Sequence, residues 1–206
     1  MTISRNISVM AQGASSSGIL SGSYGGLGAN ISPTTAGNTL FTTNGTTWSS
    51  TAKIVSANSS SVAASGSAID FTNIPSWVKR ITVMVDGVSN AGAADILIQL
   101  GTSGGIVSTG YVASSTATST ASTGHTASTA GFPMRLAAGT SICYGIMTIC
   151  LMGTNQFAAA HTARQAATSS MYGGGSVTLG GTLTQLRFTN TASDSFDLGS
   201  VNIMYE

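Results

Sequence analysis

Between Arg80 and Tyr205, apolar residues recur at every second position in one short run after another. No window of helical length carries a 3.6-residue period. Ile81, Val83 and Val85 fall on one face of the first run, with Thr82, Met84 and Asp86 on the other. Thr184, Leu186 and Phe188 share a face near the end of the chain, and so do Val201, Ile203 and Tyr205. This is the side-chain spacing of a strand with one buried face. Further strands read at 96–100, 105–114, 132–136, 142–152, 156–164 and 176–181, separated by Gly-rich turns. Eight or nine strands in roughly 145 residues predict an all-β fold, an antiparallel jelly-roll-like β-sandwich. The Ser/Thr/Ala segment 113–131 has low complexity and reads as a long exposed loop or a weak strand on an outer edge.

The first 60 residues carry no such pattern. Ile3, Ile7 and Met10 allow one short amphipathic turn, and a Ser/Gly-rich stretch follows that cannot bury a core by itself. Asn44-Gly45 between two strand-like runs predicts a hairpin with a two-residue turn, which would bury Leu40 and Trp48. The expected organisation is an extended N-terminal anchoring or docking arm over 1–60, hairpin included, followed by a β-sandwich domain over 61–206. The arm reads as a segment that becomes stable only against a partner surface.

Charge narrows the function. Only 6% of the 206 residues are charged and the formal net charge is +1, whereas an ordinary soluble domain is roughly 25% charged. Nucleic-acid binding needs a basic patch, and Lys79 and Arg80 at one strand end do not make one. With near-zero charge and a mean hydropathy of +0.29, nothing repels neighbouring copies, which points to obligate assembly. The longest apolar run, 142–152, is far short of the ~20 residues that span a bilayer, so no membrane insertion is expected. No signal peptide is read at the start. Cys143 and Cys150 lie in that same run, about 23 Å apart if it is one strand and on opposite faces. They read as free thiols in a reducing cytoplasm.

The motifs that suggest chemistry each have a plainer reading. Gly101-Thr102-Ser103-Gly104-Gly105 matches the Gly-x-Ser-x-Gly of a nucleophile elbow. That device needs a helix to follow, and here a strand follows, so a hairpin turn is expected. His125 and His161 have no Cys, Asp or Glu at ligand spacing, so no metal and no cofactor is expected. Asp70, Asp86, Asp95, Asp194 and Asp197 are scattered. The last two fall in a turn where Asp bonds backbone, with a calcium site as the rival reading. The pieces SGSYGGLG and YGGGS lack the Lys and the strand–helix context of a phosphate loop. Trp48, Trp77, Tyr111, Tyr144 and Tyr172 could form a sugar-stacking platform, but burial in the core or between subunits is the expectation for each. No catalytic, cofactor-binding or metal residues are assigned, and no enzymatic activity is expected.

Several stretches resemble a known family. These are Ile-Asp-Phe-x-x-Ile-Pro at 69–75, Arg-Ile-Thr-Val-Met at 80–84, Leu-Ile-Gln-Leu-Gly at 97–101 and Gly-Tyr at 110–111. The closing Phe-Asp-x-Gly-Ser-Val-Asn-Ile-x-Tyr-Glu at 196–206 belongs with them. Together they are similar to the β-sandwich domain of phage tail-fibre and related virion structural proteins, the cyanophage and marine-phage type. The hairpin around Asn44 resembles a connector that precedes such domains, and the similarity covers most of 38–206. The resemblance implies a homotrimeric virion protein assembled in the host cytoplasm. Residues 1–60 would dock on other virion proteins of the tail, baseplate or capsid, and a host-surface glycan is a candidate partner. The alternative is a capsid decoration or cement protein, with 1–60 spread over neighbouring shell subunits. A polysaccharide hydrolase would need a pair of carboxylates in a cleft, which six scattered acidic residues do not supply.

Overall fold

The computed structural model describes residues 38–42, 48–52, 55–56, 62–136, 140–165 and 169–206, with side chains from Val62 onward. The chain divides into two compact units, Met1–Ile54 and Val55–Glu206. In the first, β1 (Asn38–Thr42) and β2 (Trp48–Ala52) form an antiparallel hairpin. Thr42 pairs with Trp48. A two-residue turn on Asn44-Gly45 would instead pair Thr43 with Thr46, one residue out of that register. The expected hairpin therefore forms, and its Asn44-Gly45 turn lies outside the described residues. The connecting residues, the side chains of Leu40 and Trp48, and the first 37 residues of the expected arm lie outside the described residues.

The second unit is built of strands throughout its described residues. It opens with β3 (Val55–Ser56), β4 (Val62–Ala63), β5 (Ala68–Phe71), β6 (Arg80–Asn90), β7 (Ile96–Thr102) and β8 (Gly105–Ile106). Next come β9 (Val112–Ser119), β10 (Thr123–Ser128), β11 (Phe132–Met134), β12 (Cys143–Gly153) and β13 (Gln156–Gln165). It closes with β14 (Ser169–Thr178), β15 (Gln185–Asn190) and β16 (Phe196–Tyr205).

Two antiparallel sheets result. The large one runs β10-β9-β14-β13-β12-β6-β16-β3, with β4 also on β16, and the small one runs β11-β7-β15-β5, with β8 on β7. Take β4, β5, β6, β7, β11, β12, β15 and β16 as first to eighth. One sheet then reads first–eighth–third–sixth and the other second–seventh–fourth–fifth. That interleaving, in which successive strands keep crossing between sheets, is the jelly roll. The chain elaborates it twice. The β9–β10 hairpin is inserted between the fourth and fifth strands, and β13–β14 between the sixth and seventh. Both insertions widen the large sheet on its β12 side.

The alternation read from the sequence sets the core. Ile81, Val83, Val85, Met147, Ile149, Val201 and Ile203 point inward from the large sheet and are nearly fully buried. They meet Ile96, Ile98, Leu100, Phe132, Leu186 and Phe188 of the small sheet in one cluster. Each such side chain contributes about 1.5–3 kcal/mol relative to exposure. The segment 113–131 is not a loop. It forms β9, whose Ala113, Ser115 and Ala117 are buried, and β10 at the outer edge of the large sheet. Small inward side chains fill the space there, so ladder hydrogen bonds rather than bulk hold the strand. Cys143 faces inward and Cys150 outward on β12, and both are free.

Candidate functional site

Each residue singled out for chemistry has a position in this frame. Ser103 sits in the tight turn between β7 and β8, where Thr102 pairs with Gly105. The Gly-x-Ser-x-Gly match is therefore a hairpin, with Gly105 at φ 118°. Thr102 Oγ1 accepts the Gly104 N–H. In the Asp194 turn the backbone is held by Asn190 rather than by an aspartate. Asn190 Oδ1 accepts the N–H groups of Ala192 and Asp194, and its amide donates to Asp194 O. Asp197 takes the Ser89 hydroxyl, and Asp194 lies over Gly92. Asp70 is bound by Arg187 through two parallel bonds of 2.7 Å. Among the described residues no three His, Cys, Asp or Glu side chains gather closely enough to hold a metal ion.

A polar pair inside the sandwich involves His161. Register places His161 on β13 opposite Gly173 on β14, and Gly173 opposite Ser115 on β9. Gly173 has no side chain, so the imidazole reaches across it, and His161 Nε2 lies 3.0 Å from Ser115 Oγ. A Cβ on Gly173 would stand 2.6 Å from the ring and 2.2 Å from Ser114 O. Ser115 Oγ also accepts the backbone N–H of Arg135. Burial pushes the His161 pKa down to about 4, so the ring is neutral at pH 7. A nucleophile–base pair needs a third group to orient the base. Here Nδ1 is buried without a partner, and Ser115 is fully buried. The pair ties β13 to β9 and to the β11 end, and both side chains are buried.

Two of the clefts among the described residues hold about 250 Å³ each. One lies at an end of the sandwich between Lys79, Asn155 and Thr182. The other is lined by Ser119, Thr123, Arg135 and Ser169. Its guanidinium lies flat against Gly124, donates to His125 O at 3.3 Å and stands 4.0 Å from Asp95. Asp95 in turn accepts the Leu136 N–H at 2.7 Å. Arg135 thus makes one hydrogen bond and one distant charge contact, while its Nε is buried without a hydrogen-bond partner.

The aromatic residues separate into two groups. Tyr111 is buried, and burial pushes its phenol up to about 12. Trp77 packs against Tyr205 at 5.9 Å between ring centroids. Tyr144 and Tyr172 are exposed on the outer face of the large sheet with Ile146, so the expected burial does not hold for them within this chain. Sequence reasoning did not bring these three together, because what joins them is strand pairing across β12, β13 and β14. The same applies to Ser115 and Gly173, whose link to His161 has no signature along the chain. No protein-family model, curated protein or solved structure matches the chain.

Proposed function

We propose that this chain is a structural protein of a phage virion, a fibre or spike component whose jelly-roll units associate as a trimer. On this reading residues 1–60 supply the docking arm for other virion proteins, and the loops of the sandwich face the host surface, with glycan as the candidate ligand. The role is mechanical rather than catalytic.

One observation carries the reading. The two most family-like motifs, at 69–75 and 196–206, are distant in sequence and fall on framework strands of one jelly roll. β5 carries Ile69 to Phe71, and β16 spans Phe196 to Tyr205. Gly66, just before β5, is bridged to Phe196, and the backbone of Glu206 closes on Arg80. Motifs at such positions define an architecture rather than a reactive site. The scarcity of charge supports the same reading, since it suits a repeated subunit packed against its copies.

Immunogold labelling of particles that carry this chain tests the proposal. Label along the tail or its fibres is the expected result. Label over the head would replace the fibre with a shell-decorating role, and unlabelled particles would remove the virion reading altogether.

A further inference from the structure

The large sheet outruns the small one beside β11. That strand is an edge of the small sheet, and Arg135 follows it directly. Beyond it, register turns Ala117 and Ser119 of β9, Gly124 of β10 and Ser169 of β14 to the inner side of the large sheet. Ala117 is buried there, whereas Ser119, Gly124 and Ser169 are half-buried. With Ser122, Thr123 and Arg135 they line the second cleft of about 250 Å³, which offers one cation, four hydroxyls and a single apolar side chain.

Arg135 spends little of its charge inside the chain. Its Nη1 donates one bond, to His125 O at 3.3 Å, and stands 4.0 Å from Asp95, beyond hydrogen-bond reach. Arg187 is the contrast, with Nε and Nη2 each 2.7 Å from an oxygen of Asp70. The other acidic residues lie elsewhere. Of the six in the sequence, Asp70 is paired with Arg187 and Glu206 with Arg80. Asp197 takes the Ser89 hydroxyl, Asp194 lies over Gly92, and Asp86 is on β6. The Arg135 side chain is 27% exposed. Gly124 makes room for it, since a Cβ there would stand 2.5 Å from Nε. The backbone beneath is fixed by Ser115 Oγ, which accepts the Arg135 N–H at 3.0 Å.

We infer that this cleft binds an acidic sugar through its oxyanion, a carboxylate or a sulfate ester, with Arg135 as the anchoring cation. The sugar rests on the host-surface role proposed above and gives that ligand a chemical class. A guanidinium with most of its five donors unspent is a fork for two oxygens of an anion. The hydroxyls of Ser122, Thr123 and Ser169 suit those of a sugar, while Ser119 Oγ is occupied by the N–H groups of Ala121 and Ser122. The volume falls below the roughly 300–1,000 Å³ of drug-sized pockets, so the occupant is about one sugar residue. An apolar peptide would find only Ala117 to pack on, and a nucleic acid needs more than one cation. Asp95 is the like charge an anion meets there, with Oδ1 held by the Leu136 N–H at 2.7 Å, so binding is expected to be weak.

Isothermal titration of the full chain with glucuronate, glucose 6-sulfate, glucose and inorganic sulfate, each to about 20 mM, tests this. Circular dichroism is the folding check. At least one acidic sugar is expected to bind in the millimolar range, about 10-fold tighter than glucose or inorganic sulfate. Glucuronate alone would assign a carboxylated glycan, and glucose 6-sulfate alone a sulfated one. Arg135→Gln is expected to weaken binding about 10-fold or more, the loss of charge-assisted hydrogen bonds. Arg135→Lys, which keeps the charge without the fork, should retain part of it. Gly124→Ala, which crowds the guanidinium and leaves Arg135 in the sequence, should also weaken it and serves if Arg135→Gln does not fold. Glucose binding as well as its acids, or folded variants binding like wild type, would overturn the inference. Inorganic sulfate binding as tightly as the sugars would leave an adventitious ion only and remove the sugar. No binding to wild type would overturn the site while the virion role stood or fell on the labelling of particles. Binding of an acidic sugar with unlabelled particles would keep the site and remove that role.

Discussion

The hydroxyl of Tyr111 accepts the backbone N–H of Leu100 at 2.7 Å inside the sandwich. β11 pairs with β7 only from Ile96 to Ile98, so Leu100 lies past the end of that ladder and a side chain completes it. The ring is fixed by Phe132, edge-on at 5.0 Å. Tyr111→Phe keeps the ring and orphans a buried N–H, so a loss of about 1–3 kcal/mol is expected. Urea unfolding should show a lower midpoint with an unchanged slope. The folded phenol titrates near 12 against an ordinary 10. Its stabilising effect is therefore complete below pH 10 and is lost as pH rises toward 12.

His161 gives the opposite dependence. Its folded pKa is pushed down to about 4 from 6.5, so the unfolded chain binds a proton first. Stability from this residue is present above pH 6.5 and drains away as pH falls toward 4. A pH series of thermal melts should slope downward through that window in wild type. His161→Gln should flatten the slope while lowering stability at pH 7.

Gly199 lies at a bulge where β16 passes β6, with φ +84°, and a Cβ there would stand 2.3 Å from the carbonyl of Gly87. Gly199→Ala is expected to cost about 3 kcal/mol or more. Gly180 has open space around it and no positive φ, so Gly180→Ala should be close to neutral. Equal effects in denaturant melts would refute the assignment of strain to the bulge.

Asp70 and Arg187 face each other on β5 and β15, an edge pair of the small sheet. The Arg187 hydrogen bond holds the Asp70 carboxyl below its ordinary value. Its contribution is therefore present above pH 3.8 and is lost as pH falls through the lower folded value. Both side chains are more than a third exposed, so a double-mutant cycle should return no more than about 1 kcal/mol. A coupling several times larger would mean the edge is shielded in the assembled state.

The fold was largely legible, and the reason is visible strand by strand. β6, β15 and β16 alternate large apolar with polar residues, so Val83, Phe188 and Ile203 announced their faces. β9 alternates Ala and Ser with Ser and Thr. Both of its faces are small, and hydropathy offers no contrast from which to read a strand. The sequence pattern marks β14 only from Ser176, because Gly173 to Gly175 look like a turn, whereas they are the thin part of a strand over which His161 passes. The outer face was illegible for another reason. Met84, Ile146 and Tyr172 are separated in sequence and become neighbours only through register, which is a property of pairing and not of any one segment.

β16 is the last strand of the jelly roll, yet it is an interior one, with β4 and β3 on one side and β6 on the other. While the chain is being synthesised, β6 therefore has an open flank until residue 205 has left the ribosome. The closing contact, Val62 with Val201, spans nearly the whole unit, and contacts of such long range are slow to form. Completion of this sandwich thus waits for β16. During that interval the unpaired edge of β6, whose charges are Arg80 and Asp86, is exposed among other nascent copies, so a truncation inside 196–205 should yield aggregates rather than a smaller folded domain.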